Sequence, residues 1–170
     1  MQALPELRCM RDMDILVTPE AADEAQQRLI EGRWEPGVLQ GPEHHHLDGL
    51  ERTIDGLRLG LEVHRRVTLS LPLDFDDWRQ SAVPCRGALA PSRLNRVWHA
   101  YTHGCCLDLL CSENFHLAWL ADIVTLVEAS TDDELAALRR WDHFWNALAW
   151  LGQLVSFEPR IQALMNHGNH

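Results

Sequence analysis

"RDMDILVTPE", residues 11–20, sets two carboxylates, Asp12 and Asp14, at the head of the apolar run Ile15-Leu16-Val17. The run is short, holds two β-branched residues and ends at a turn, a pattern that predicts a strand. On a strand, residues i and i+2 project to one side, about 6.5 Å apart along the chain. Asp12 and Asp14 therefore aim at one spot, where either water solvates them or an oxygen-seeking dication sits between them. If they are a non-catalytic pair, replacing both by Asn is expected to relieve repulsion and stabilise the metal-free chain.

Working outward, Thr18 suits an N-cap and Pro19 the first helical turn. A helix is expected from Pro19 to about Glu31, with Ala21, Ala22, Ala25, Leu29 and Ile30 on one face and Gly32 as its stop. Trp34–Leu39 is a candidate second strand. Asp55-Gly56 is a two-residue hairpin signal between alternating runs. In the arm after it, Leu57, Leu59, Leu61 and Val63 share one face and Arg58, Gly60, Glu62 and His64 the other. Glu62 is thus a carboxylate on the polar side of a strand, either a third metal ligand or a partner of Arg58 or Arg66.

The segment "SAVPCRGALAPS", 81–92, carries two prolines and a glycine and is the expected connection between two halves. Beyond it the chain reads as helical: Pro91–Cys111, Glu113–Ala129, a helix capped by Thr131 with Glu134 three residues on, and "RWDHFWNALAWLGQLV". The Glu113–Ala129 stretch is apolar nearly all round and is expected to be buried. Of the seven tryptophans, Trp98, Trp119, Trp141, Trp145 and Trp150 fall in this half, where their spacing suits a core or a homodimer face.

The net charge is −10, and all 15 basic residues are arginine. So acidic a chain repels phosphate backbones, and general nucleic-acid binding is not expected. Without lysine there is neither Schiff-base chemistry nor a Walker-type lysine. Five cysteines without framework spacing suit a reducing, cytoplasmic setting. No apolar stretch is long enough for a membrane span.

Arg8, Asp12 and Asp14 in "RCMRDMDILV", then "HHHLDGL", then Glu62 and His64 in "GLRLGLEVHRRV", and a helical tail with "HLAWLADIVTLV", resemble uncharacterised bacterial nucleotidyltransferase-like proteins of the DNA-polymerase-β superfamily. The resemblance implies an α+β fold. A small mixed sheet packed with helices, the nucleotidyltransferase-like portion, would occupy 1–82, and an all-helical subdomain 91–165. It implies Mg²⁺ (or Mn²⁺) held by Asp12, Asp14 and Glu62, with Arg8 and His64 as further contacts around the bound nucleotide. Transfer of a nucleotidyl group from a nucleoside triphosphate to a hydroxyl acceptor would follow. The superfamily also places a Gly-Gly or Gly-Ser phosphate-cradling turn before the Asp-x-Asp strand. No glycine precedes Gly32 here, so the cradle segment is expected to be missing, through truncation or degeneration.

Two alternatives stand beside this. One is a non-catalytic nucleotide-binding or interaction module of the same fold. The other is a transition-metal protein using His99, His103 (four apart on a helix) and a neighbouring cysteine among Cys105, Cys106 and Cys111. The triplet His44-His45-His46 cannot all face one ion from a strand, so a loop is its expected place, and the resemblance implies a position near the rim of the site.

Overall fold

Asp12–Leu16 forms strand β1 in the computed structural model, which describes residues 12–37, 44–67, 75–102, 117–138 and 142–167. These fall into two compact units, 12–81 and 82–167.

In the first unit a 3-10 turn at Pro19–Ala21 leads into helix α1, Ala22–Glu31. The Thr18 side chain caps nothing; its carbonyl instead accepts from Ala21 N at 3.0 Å, because Pro19 forces a tight turn first. Gly32 ends the helix as expected, and the left-handed residue is the one after it. Arg33 takes φ +69°, Arg33 N donates to the Ile30 carbonyl and Trp34 N to the Leu29 carbonyl, each at 3.0 Å. This Schellman ending brings Trp34 back against Leu29 and the core.

Strands β2 (Glu35–Pro36), β3 (Leu50–Ile54) and β4 (Leu57–His64) complete a mixed sheet in the order β1-β4-β3-β2, with β1 parallel to β4 and the other pairs antiparallel. The expected second strand is thus short; residues 38 and 39 lie outside the described residues. Asp55 and Gly56 turn β3 into β4 with φ +50° and +81°, the two positive values a type I′ turn needs. One face of the sheet is sealed by α1: Ala22, Leu50, Leu61 and Val63 are buried, with Ile15, Ala25, Leu29, Ile30 and Leu47 packed on them. Burial of each large side chain there stabilises by about 2 kcal/mol. Helix α2, Phe75–Gln80, opens on Asp76 and Asp77, where carboxylates suit the dipole.

The second unit starts with a hairpin. Val83–Cys85 (β5) pairs with Ala88–Ala90 (β6) around Arg86-Gly87, whose φ values are +47° and +84°. Pro84 tolerates a strand here because a two-stranded ribbon is all edge. The expected plain connection is therefore a small sheet. From Arg93 onward every described element is helical: α3 (Arg93–Tyr101), α4 (Leu117–Ala129), α5 (Asp132–Leu138), α6 (Asp142–Leu151) and α7 (Pro159–His167). The architecture is α+β.

Val97, Leu120, Ile123, Val127, Leu135, Leu138, Phe144, Trp145, Leu148, Leu151 and Ile161 form the core of this unit, and Trp98 and Trp119 pack against it. Most of the described tryptophan surface is thus consumed within one chain; Trp150 is 46% exposed. Helix α4 is not buried all round as its composition suggested. Leu120, Ile123 and Val127 turn inward, while Ala118, Ala121, Thr125 and Ala129 face water, where small side chains cost little. The capping box forms as expected: Thr131 N donates to Glu134 Oε2 at 2.8 Å and Glu134 N to Thr131 Oγ1 at 3.3 Å. No helix among the described residues is long and apolar enough to cross a membrane.

Candidate functional site

The parallel ladder of β1 and β4 pairs Asp12 with Gly60, Met13 with Leu61, Asp14 with Glu62, Ile15 with Val63 and Leu16 with His64. Paired residues point the same way. Since Leu61 and Val63 go under α1, Asp12, Asp14, Glu62 and His64 all belong to the opposite face. Asp14 and Glu62 are direct neighbours, on strands about 4.8 Å apart. Arg58 does not pair with Glu62 as one expectation had it; its guanidinium bonds Glu51, with Nε donating to Oε2 at 2.9 Å.

His64 sits between the two carboxylates. Its Nε2 is 3.4 Å from Asp14 Oδ1 and 3.4 Å from Glu62 Oε2. Those distances are long for a hydrogen bond, and the attraction is mainly one of charge. Burial pulls the imidazole toward neutrality, but Asp14 and Glu62 together outweigh it and raise its pKa to about 9. The His64 ring in turn holds the Glu62 carboxyl below its ordinary range, against the opposing effect of burial. In the metal-free protein, His64 therefore supplies the positive charge that the carboxylates need.

A second set of groups reaches this face through an irregular ladder. Leu50 pairs with Leu61, yet His46 bridges to His64, so four chain steps face three. One extra residue of this kind is a bulge, and it reverses which side each neighbouring residue takes. Leu47 goes to the core and His46 to the acidic face. His46 Nε2 lies 3.3 Å from Glu62 Oε2, and its Nδ1 lies 2.7 Å from the Leu47 carbonyl. His45 and His46 are 7% and 5% exposed, as enclosed as His64 at 6%. Burial chiefly lowers the pKa of His44; His46 adds to it, Glu62 opposes it, and His64 and Arg65 add further.

Among the described residues, two groups of side chains bring ligand atoms within 4.8 Å of one another: Asp14, Glu62 and His64, and His44, His45 and His46. Two carboxylates with the exposed Asp14 at the mouth fit a hard dication that keeps waters or phosphate oxygens in its shell. Asp12 stands two ladder pairs away, opposite Gly60, outside that trio. Arg8 falls outside the described residues, as do His103, Cys105, Cys106 and Cys111; His99 stacks edge-on against Trp119 with centroids 6.1 Å apart. The resemblance implied the rim for this triplet; the bulge that carries His46 onto the acidic face leaves no trace in a periodicity count.

A family model described as an uncharacterised nucleotidyltransferase matches residues 3–155. No curated protein and no solved structure matches the chain.

Proposed function

The chain belongs to this nucleotidyltransferase family, and from that premise we propose that it transfers a nucleotidyl group from a nucleoside triphosphate to a hydroxyl acceptor, with Mg²⁺ or Mn²⁺ held by Asp14 and Glu62 and assisted by Asp12. The observation that supports it is the Asp14–Glu62 pair, in register on the sheet face that α1 leaves open. A dication there supplies charge neutralisation for the triphosphate and orients it. Glu62 is ionised at neutral pH and takes up the acceptor's proton, passing it to solvent. The acceptor oxygen then bonds to the α-phosphorus, the bond to the bridging oxygen breaks, and pyrophosphate leaves. His64 offers an imidazolium for phosphate oxygens, as does Arg8 a guanidinium.

The second reading is a binding module without turnover. The observation favouring it is His64, which already neutralises the carboxylates internally. Incubating the untagged chain with each α-labelled nucleoside triphosphate, Mg²⁺ or Mn²⁺ and pooled RNA and protein acceptors separates the two. Labelled product with pyrophosphate release supports the transferase. Metal-dependent nucleotide binding without release supports the module, and the absence of both binding and release defeats both readings.

A further inference from the structure

We propose that His44, His45 and His46 form a second metal position, walled by three imidazoles with Glu62 beside His46, that takes a borderline dication of the zinc class. The proposal uses the nucleotidyltransferase reading only to say what lies next door. Imidazole nitrogens suit zinc, cobalt and nickel, whereas magnesium keeps to oxygen.

The ring nitrogens lie within 4.8 Å of one another. Ligands about 2.0–2.1 Å from a tetrahedral zinc stand roughly 3.4 Å apart, so modest rotations of the rings close the set. The objection that three consecutive histidines cannot share an ion holds for a strand; here His44 and His45 lie in a bend and only His46 in the bridge.

His46 carries the strongest signal. A carbonyl only accepts, so the Nδ1 facing the Leu47 carbonyl at 2.7 Å bears the hydrogen. Its Nε2 faces Glu62 Oε2 at 3.3 Å, so the nitrogen left for an ion is turned toward a carboxylate. A ligating histidine usually hands its other N–H to a carbonyl in this way. Close by, His44 Nδ1 is buried with no hydrogen-bond partner. Packing the rings as plain aromatics, with centroids 4.1–4.8 Å apart, leaves that cost standing.

The loop is also held before any ion arrives. Arg65 Nε and Nη2 donate to the His44 carbonyl at 3.2 and 3.1 Å. Arg65 N and Arg66 N donate to the His45 carbonyl at 3.0 and 3.2 Å, and Leu47 N to the Val63 carbonyl at 2.9 Å. Five bonds to the end of β4 and the residues after it hold the backbone of His44 and His45 and of Leu47 just past His46, which lowers the entropy lost on binding.

The test is Co²⁺ titration of the chelator-stripped, untagged full chain, followed by visible d–d absorption. One equivalent is expected to give a band that Zn²⁺ displaces and excess Mg²⁺ does not. The double variant His44→Gln/His45→Gln is expected to weaken Co²⁺ roughly tenfold or more, while Asp14→Asn retains the band. If the double variant misfolds by circular dichroism, the wild-type chain still decides the matter: Zn²⁺ should shift the imidazole ¹⁵N resonances of His44, His45 and His46. No band, a band lost only in Asp14→Asn, or unshifted imidazoles overturns the proposal. Pyrophosphate release by wild type without a cobalt site defeats this inference alone; a cobalt site without release defeats the catalytic reading alone.

Discussion

The two units bury polar groups in opposite ways. Among the described residues of the helical unit the buried polar ones are Thr102 and Ser130, and each returns its hydroxyl to its own helix: Thr102 Oγ1 donates to the Trp98 carbonyl at 2.9 Å, Ser130 Oγ to the Leu126 carbonyl at 2.8 Å. Among the described residues of the sheet unit the buried polar ones are His45, His46 and His64, gathered beside two carboxylates. A buried hydroxyl bonded to a local carbonyl costs almost nothing. A group of titratable rings against carboxylates is stable only with the correct number of protons or cations. The difference separates polar burial that serves packing from polar burial that serves chemistry.

The widest test of that division sets one unit against the other. Asp14→Asn and Glu62→Gln are expected to lower pyrophosphate release by roughly 100-fold or more, by analogy with loss of a preorganised electrostatic group. Phe144→Ala, in the fully buried helical core, should instead cost about 3–5 kcal/mol of stability, read by denaturant melts. If Asp14→Asn turns over normally, the acidic face has no catalytic part.

Next in size is the response to metal. Mg²⁺ or Mn²⁺ at about a hundred times its dissociation constant should stabilise the chain by about 2.7 kcal/mol, seen as a rise in Tm that a chelator reverses. Asp14→Asn should abolish most of the rise.

The pH dependence of the metal-free chain sharpens the comparison further. The folded-state pKa of His64, about 9, lies above its unfolded value, so its contribution is fully present below about pH 6.5 and is lost as pH rises through about 9. With contacts of 3.4 Å, roughly 2 kcal/mol is expected, and His64→Gln should flatten that part of the Tm–pH curve. The same contact reverses the sign expected from the sequence for Asp14→Asn. Instead of relieving repulsion from Asp12, the change removes a partner of an imidazolium and should destabilise the metal-free chain at pH 7. The smallest effect belongs to the helical unit: Thr131→Ala breaks the capping box and should cost about 1 kcal/mol, with no change in metal response.

Local rules made much of the fold legible. Alternation in Leu57–His64, the Asp55-Gly56 turn and the Thr131–Glu134 box each depend on residues a few positions apart, and each appears where the pattern put it. Arg33 and Arg86 in left-handed conformations were not legible, since arginine carries no signal for positive φ.

For the site, sequence alone determined the chemistry on offer: carboxylates at Asp12, Asp14 and Glu62, imidazoles at His44–His46 and His64, and strands whose period assigned each acidic residue a side. Tertiary structure decided which of them meet. Register set Asp14, rather than Asp12, against Glu62. A single extra residue between His46 and Leu50 turned a histidine that alternation would bury toward the core onto the acidic face. The physical reason is that side-chain direction in a strand is a local property, whereas pairing is set by burial of a whole face, and one inserted residue changes the second without disturbing the first.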